Sequence, residues 1–233
     1  MEPATRGELA RRIDHTLLTP EATVAQIETL CAEGVALGVG AVCVSPTMVA
    51  VAVGVLPSGF VVASVAGFPS GAHTSLVKAR EAEEACADGA REIDMVANLS
   101  AIAQSQWSVL SAEVAEVAEV RRAIGADSVL KVSIESAAWD DEHVVNACQA
   151  AVGGGADFIK TSTGFHSSGG ATQAAVHLMR KTVGPHIGVK ASGGVRSLER
   201  ALEMIEAGAN RIGTSSARAI LAEAEVTFGV EKS

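Results

Sequence analysis

The sequence predicts an α/β fold, a (β/α)8 TIM barrel built as a single domain over residues 1–233 with a short N-terminal helix. Strand-like runs begin near residues 13, 42, 61, 92, 129, 157, 187 and 211, and each is followed by a helical stretch. Such alternation means parallel strands, and eight repeats of it mean a closed barrel. The length of 233 residues, with no linker or break in composition, suits one barrel. The composition is 48% hydrophobic with 3% aromatic residues and no Tyr, so a sizeable core must be made of Ala, Val, Leu and Ile. An open doubly wound sheet is the alternative. It wants a Gly-x-Gly-x-x-Gly turn after its first strand, and none stands there.

The elements follow in order. Residues 5–12 read as the leading helix and 13–18 as a short extended segment. Thr19-Pro20-Glu21 is expected to open the next helix, with Thr19 as cap and Pro20 in the first turn. Val24, Ile27, Leu30 and Cys31 share one face of it. Residues 41–45 are a strand closed by Pro46, 47–54 a short helix, and 60–66 a strand ending at Gly67-Phe68-Pro69. A helix over 74–88 carries Lys78, Arg80, Glu81, Glu83, Glu84 and Asp88, expected to be a solvated face. Residues 92–98 form a strand. The helix over 106–124 places Leu110, Val114, Val117 and Val120 on one side and Glu113, Glu116 and Glu119 on another, again expected to be solvated. Strands at 129–135, 158–164, 187–191 and 211–213 then alternate with helices at 140–151, 171–182, 197–207 and from Ser215 or Ser216 onward.

Charge and composition exclude several classes. A net charge of −9 argues against a nucleic-acid partner. No apolar run reaches the ~18 residues of a membrane span, and the polar start of the chain does not read as a signal peptide. Cys31, Cys43, Cys86 and Cys148 are too far apart for a metal or redox pair and read as reduced core residues of a cytoplasmic protein, with Cys43 placed to line a pocket. The six histidines show no metal-ligand spacing.

The stretch Phe-Ile-Lys-Thr-Ser-Thr-Gly, 158–164, is the most informative. It sets a lysine inside an apolar, β-branched run, where an ammonium is rarely buried without a reason. In a barrel, chemistry sits at the C-terminal ends of the strands, and alternate residues point inward. By that parity Lys160 points in with Phe158 and Ser162, Lys190 with Gly188 and Ser192, and Lys131 with Ser133 and Glu135. Asp94 points in with Val96 and Asn98, and Asp14 holds a similar place on the first strand. Three of six lysines thus fall on three consecutive strands. They are either a structural ion network with Asp94, Glu135 and Asp14, or a functional site. Buried ionic networks are a poor source of stability, which favours the site.

Within that site Lys160 lies between the other two lysines. Bringing a lysine from ~10.4 to ~7 costs roughly 4.6 kcal/mol. A second ammonium ~5 Å away supplies about 3.3 kcal/mol at an effective dielectric of ~20. Lys160 is therefore expected to be the neutral amine and nucleophile, with Lys190 lowering its pKa and Asp94 and Glu135 keeping Lys131 charged. The loops after strands seven and eight, Ser192-Gly193-Gly194 and Gly213-Thr214-Ser215-Ser216, offer backbone amides and hydroxyls at a helix start, as a phosphate site requires.

These motifs, together with Asp-His-Thr-Leu-Leu (14–18), Glu-Ile-Asp-Met-Val (92–96), Leu-Lys-Val-Ser-Ile-Glu (130–135), Val-Lys-Ala-Ser-Gly-Gly-Val-Arg (189–196) and Arg-Ile-Gly-Thr-Ser-Ser (211–216), closely resemble deoxyribose-phosphate aldolase nearly end to end. The resemblance implies a class I aldolase that reversibly cleaves 2-deoxy-D-ribose 5-phosphate to D-glyceraldehyde 3-phosphate and acetaldehyde, with no metal or organic cofactor. It implies Lys160 as the Schiff-base lysine, Lys190 as the lysine that lowers its pKa, and Asp94 as the acid of a water-mediated proton relay. Gly164, Gly193, Gly194, Gly213, Ser215 and Ser216 are expected at the phosphate, with Lys131, Asp14, Thr16, Cys43 and Thr161 in support. Partners are small molecules, the phosphosugar and acetaldehyde, and a homodimer is common among relatives. One departure stands out: where many members carry a lysine after Thr-Ser-Thr-Gly, this chain has Phe165, so tolerance of unphosphorylated aldehydes is expected. A phosphosugar lyase or isomerase without a Schiff base, or a silent sugar-phosphate-binding barrel, are the readings from other classes.

Overall fold

The computed structural model describes residues 3–124 and 128–229. Eight strands are present among them: β1 Ile13–Leu17, β2 Ala41–Val44, β3 Val62–Ala66, β4 Glu92–Val96, β5 Val129–Ser133, β6 Phe158–Lys160, β7 Gly188–Ser192 and β8 Arg211–Thr214. All neighbours are parallel and in sequence order, and β8 pairs with β1 to close the barrel. The helices are α1 Arg6–Ala10, α2 Val24–Leu37, α3 Val49–Val55, α4 Ser75–Ala87, α5 Leu99–Ala103, α6 Trp107–Ile124, α7 Asp141–Gly153, α8 Gln173–Val183, α9 Leu198–Glu206 and α10 Ala217–Phe228.

The core lies between barrel and helices. Outward strand residues such as Val42, Ile93, Met95, Leu130, Val132, Ile159, Val189 and Ile212 pack against Ile27, Leu110, Val114, Val144, Met179, Met204 and Ile220 of the helices. Strands covered on one face by helices and filled on the other must be buried throughout. Cys31, Cys86 and Cys148 belong to this shell, whereas Cys43 points into the barrel with Leu18, Ala63 and Val65. All four thiols are free and buried, and burial pushes Cys43 up to about 11 and Cys148 up to about 12.

Three local expectations are corrected. Helix α2 starts at Val24, one turn after Thr19-Pro20. Thr23 accepts from the Gln26 N–H while the Gln26 side chain accepts from the Thr23 N–H at 2.8 Å, a reciprocal cap that Thr19 could not form because Ala22 stands three residues after it. Residues 18–22 are left as loop. Helix α5 was unforeseen; it is one turn capped by Asn98. Lys78 and Glu113 do not face solvent. Both are buried where α4 packs on α6, and Lys78 Nζ donates to Glu113 Oε1 at 2.6 Å. The other Glu113 oxygen accepts from the Asn98 N–H at 2.9 Å. No helix among the described residues is long and apolar enough to cross a membrane.

Candidate active site

Inward alternation carries charge onto six of the eight strands. Lys131, Lys160, Lys190 and Arg211 face Asp14, Glu92 and Asp94 inside the barrel. Register sets their heights. The Lys160 Cα pairs with Lys190 on β7 and with Ser133 on β5, while Lys131 pairs with Phe158, one step lower. Long side chains then converge on one carboxylate. Asp94 Oδ1 accepts from Lys131 Nζ at 2.7 Å, and Oδ2 accepts from Lys160 Nζ at 2.9 Å and Lys190 Nζ at 2.7 Å.

The second partners differ. Lys190 also donates to Asp14. Lys131 also pairs with Glu92 Oε2 at 2.6 Å and stands 3.8 Å from Asp14. Lys160 meets Asp94 alone among the described residues. Burial pushes the Asp94 carboxyl up, but Lys131, Lys160 and Lys190 outweigh it and hold the group well below the usual carboxylate range. Asp14 is likewise lowered, burial being overcome by Lys190, Lys131 and Arg211. Burial pulls the Lys190 and Lys131 ammoniums down, yet the carboxylates around them win and raise both, Asp14 leading at Lys190 and Asp94 at Lys131.

Glu135 is not the partner of Lys131. Its backbone turns left-handed at φ 52° just past β5, and its carboxylate accepts from the Thr163 N–H at 2.6 Å. Glu92 takes its place. Glu92 and Arg211 were both missed, although the parity that placed Asp94 inward also places Glu92, and Gly213 likewise points to Arg211.

A cavity of about 200 Å³ opens above this cluster. Lys160 and Lys190 form its floor. Thr16 to Thr19 line one side, and Thr163, Gly164 and Phe165 another. Ser192 to Arg196 and Gly213 to Ser215 line the rest. The Ser192 hydroxyl is buried with no hydrogen-bond partner among the described residues, so it is available to a ligand. Ser216 stands off the lining: its N–H donates to Thr214 Oγ1 at 2.9 Å, and it precedes the first turn of α10. Asp94, Lys131, Asp14, Cys43 and Thr161 lie beneath or beside the cavity rather than on it. Thr16 Oγ1 donates to the Asp14 carbonyl at 2.8 Å. Thr161 clips β6 to β7, its hydroxyl donating to the Ser192 carbonyl and accepting from the Ser192 N–H, both at 3.0 Å. Among the described residues no group of three His, Cys, Asp or Glu side chains is arranged to hold a metal ion.

A charged barrel floor below an amide-rich rim suits an anionic carbonyl compound, and the sequence profile of the DeoC/LacD family aldolases matches residues 9–223. The chain belongs to this family. The deoxyribose-phosphate aldolase of Kocuria rhizophila is 52% identical over 217 residues, covering 93% of this chain and 97% of that protein. The deoxyribose-phosphate aldolase of Mycolicibacterium paratuberculosis is 54% identical over 221 residues, covering 93% and 97%. Among solved structures, the deoxyribose phosphate aldolase of Aeropyrum pernix, described as a unique tetramer, superposes with a TM-score of 0.86 at 33% identity over 95% of this chain and 92% of that one.

In this DeoC/LacD aldolase the β6–α8 loop is joined to the β7–α9 loop by backbone contact. Gly193, at φ 85°, packs its Cα against Gly164 and Gly170, and a Cβ there would come 2.9 Å from the Gly170 Cα. The Ala171 N–H donates to the Ser192 and Gly193 carbonyls at 3.0 Å.

Proposed function

We propose that this family member is a class I deoxyribose-phosphate aldolase, cleaving 2-deoxy-D-ribose 5-phosphate reversibly through a Schiff base on Lys160. The observation that carries the reading is the division of carboxylates among three lysines. Lys190 and Lys131 each hold two or more, and both are raised. Lys160 shares a single oxygen with Lys190 and reaches the cavity. It is the amine the cluster can spare as a nucleophile.

The neutral Lys160 amine adds to the C1 aldehyde of the open-chain sugar, and loss of water leaves an iminium. The cation accepts the electron pair of the C2–C3 bond. That bond breaks as the C3 hydroxyl gives up its proton, and C3 becomes the aldehyde carbon of D-glyceraldehyde 3-phosphate. The two-carbon enamine on Lys160 is protonated at its terminal carbon and hydrolysed to acetaldehyde. Lys190, held charged by Asp14 and Asp94, keeps positive potential beside the nucleophile. Asp94 orients both amines and, with a bound water, passes protons between them and the substrate. The phosphate rests on the amides of Gly193, Gly194, Gly213 and Ser215 and on hydroxyls, at the positive end of α10.

Borohydride reduction in the presence of acetaldehyde tests this reading. An ethyl group on Lys160, found by peptide mass analysis, is the expected result. Its absence, or its appearance on another lysine alone, overturns the assignment.

A further inference from the structure

Glu92 holds the place beside Lys131, which leaves Glu135 a buried carboxylate with no part in the chemistry described so far. It is 1% exposed, and its backbone is left-handed at φ 52° and ψ 54°. Both features cost free energy. A buried carboxylate has given up water, and a residue other than glycine stays in that region only where its surroundings force it to. The forcing bonds lie on either side. The Ile134 N–H donates to the Lys160 carbonyl at 3.1 Å and the Ser136 N–H to the Thr161 carbonyl at 2.8 Å, so the pairing of β5 with β6 runs on past both strand ends. Trp139 Nε1 donates to the Ile134 carbonyl at 2.7 Å, and the Ala138 N–H to the Glu135 carbonyl at 2.8 Å. These four bonds fix the direction of the Glu135 side chain, and its Oε1 meets the Thr163 N–H at 2.6 Å.

Thr163 is where the cavity wall begins. It is buried, and it stands past the end of β6, so the strand ladder does not hold its N–H. Thr163 Oγ1 accepts from the Phe165 N–H at 3.1 Å, and the Phe165 ring meets Phe68 edge to face with centroids 5.2 Å apart. Between these two anchors Gly164 packs against the Cα of Gly193, on the loop that offers amides to an anion. Glu135 does not itself line the cavity. Its carboxylate nevertheless acts on the anion side of it, through Thr163, Gly164 and Gly193 in turn.

We propose that Glu135 is a positioning residue for the phosphosugar, its carboxylate setting the height of the Thr163–Gly164 wall, and with it Gly193, relative to Lys160. This rests on the Lys160 Schiff base and the phosphate site proposed above. The sugar is held at both ends: C1 must meet the amine while the phosphate lies on the amides. A shift of ~1 Å between the two ends is enough to lose about 100-fold in rate. Acetaldehyde has two carbons and no phosphate, so its addition to Lys160 is indifferent to where that wall stands.

The test measures two quantities in wild type, Glu135→Gly and Glu135→Gln: kcat/KM for 2-deoxy-D-ribose 5-phosphate, and the rate at which acetaldehyde and borohydride place an ethyl group on Lys160. Glycine removes the acceptor and suits the left-handed backbone, whereas glutamine keeps an acceptor oxygen at the same reach. Glu135→Gly should lower kcat/KM about tenfold or more, with a raised KM, while trapping stays within about twofold of wild type. Glu135→Gln should keep both quantities within about threefold of wild type. A smaller loss in Glu135→Gly, trapping that falls along with cleavage, or a Glu135→Gln protein as impaired as Glu135→Gly overturns the proposal. Amide hydrogen exchange in the wild type decides the matter even where Glu135→Gly fails to fold. The Thr163 N–H should be protected ~100-fold or more, and unprotected exchange overturns the positioning bond. Failed trapping in the wild type sinks the Schiff base instead, and leaves the exchange at Thr163 to report on Glu135 alone.

Discussion

Lys78 and Glu113 form one ion pair between α4 and α6, while seven charges gather inside the barrel around Asp94. Both arrangements are buried. The pair is balanced: one ammonium, one carboxylate, and a second acceptor oxygen filled by the Asn98 N–H. The barrel cluster is not. Lys131, Lys160, Lys190 and Arg211 outnumber Asp14, Glu92 and Asp94 by one. A matched pair holds two helices together; a cluster with one cation to spare can release a proton or receive an anion. The pKa directions follow the same division. Burial pushes the Lys78 ammonium down more than Glu113 and Glu81 push it up, whereas Lys131 and Lys190 are raised.

Removing the spare amine is the strongest way to break the contrast. Lys160→Ala should lower kcat/KM by at least ~10⁴-fold, the scale of losing a covalent nucleophile, and should give no ethyl adduct, with the far-ultraviolet dichroism of the folded protein retained. Next comes Asp94→Asn, which leaves three ammoniums without their common carboxylate. Denaturant titration should show a loss of about 3–5 kcal/mol. Replacing both members of the other pair, Lys78→Met with Glu113→Leu, should by contrast change stability little, the orphaned Asn98 N–H costing ~1–3 kcal/mol against the ~1–4 kcal/mol gained by replacing a buried pair, with trapping on Lys160 unimpaired.

A pH series sharpens the comparison further. Asp14 and Asp94 are lowered, so their stabilisation is present above about pH 3.8 and is lost as pH falls toward and through their folded values. Lys131 and Lys190 are raised, so theirs is complete below about pH 10.5 and is lost only as pH rises through their higher folded values. Between those limits these four groups add no slope to stability. Below pH 3.8 each proton taken up costs ~1.4 kcal/mol per pH unit, and Asp94→Asn should show a shallower fall than wild type. The smallest effect is expected from Thr161→Val, which removes the clip between the strands carrying Lys160 and Lys190. A loss of about 1–2 kcal/mol should appear in thermal melting.

The barrel and the lysines of its floor were legible because a strand's period of two is rigid: once Lys160 faces in, its neighbours follow. Lys131, Lys190, Asp14 and Asp94 were all placed inward by that one rule. Glu92 and Arg211 obey it too, but both sit at the first residue of a strand, at the end of the barrel away from the C-terminal ends where chemistry was sought. Glu135 failed for the complementary reason. It lies past the end of β5 in a left-handed turn, where alternation no longer holds. Lys78 and Glu113 were out of reach. A helical charge is solvated unless a neighbour covers it, and the packing of α4 on α6 is a tertiary fact. The meeting of Phe68 with Phe165 was hidden for the same reason, since nearly a hundred residues separate them in the chain.

The fused backbones of Gly164, Gly170 and Gly193 bear on how molecules enter and leave. A loop that swings as a lid needs two free roots. Here both roots of residues 165–169 rest against the β7–α9 loop, and the Ala171 N–H ties the far end down. Passage over this side of the rim then calls for the exposed Phe165 ring to turn rather than for the loop to swing, a motion of picoseconds to nanoseconds.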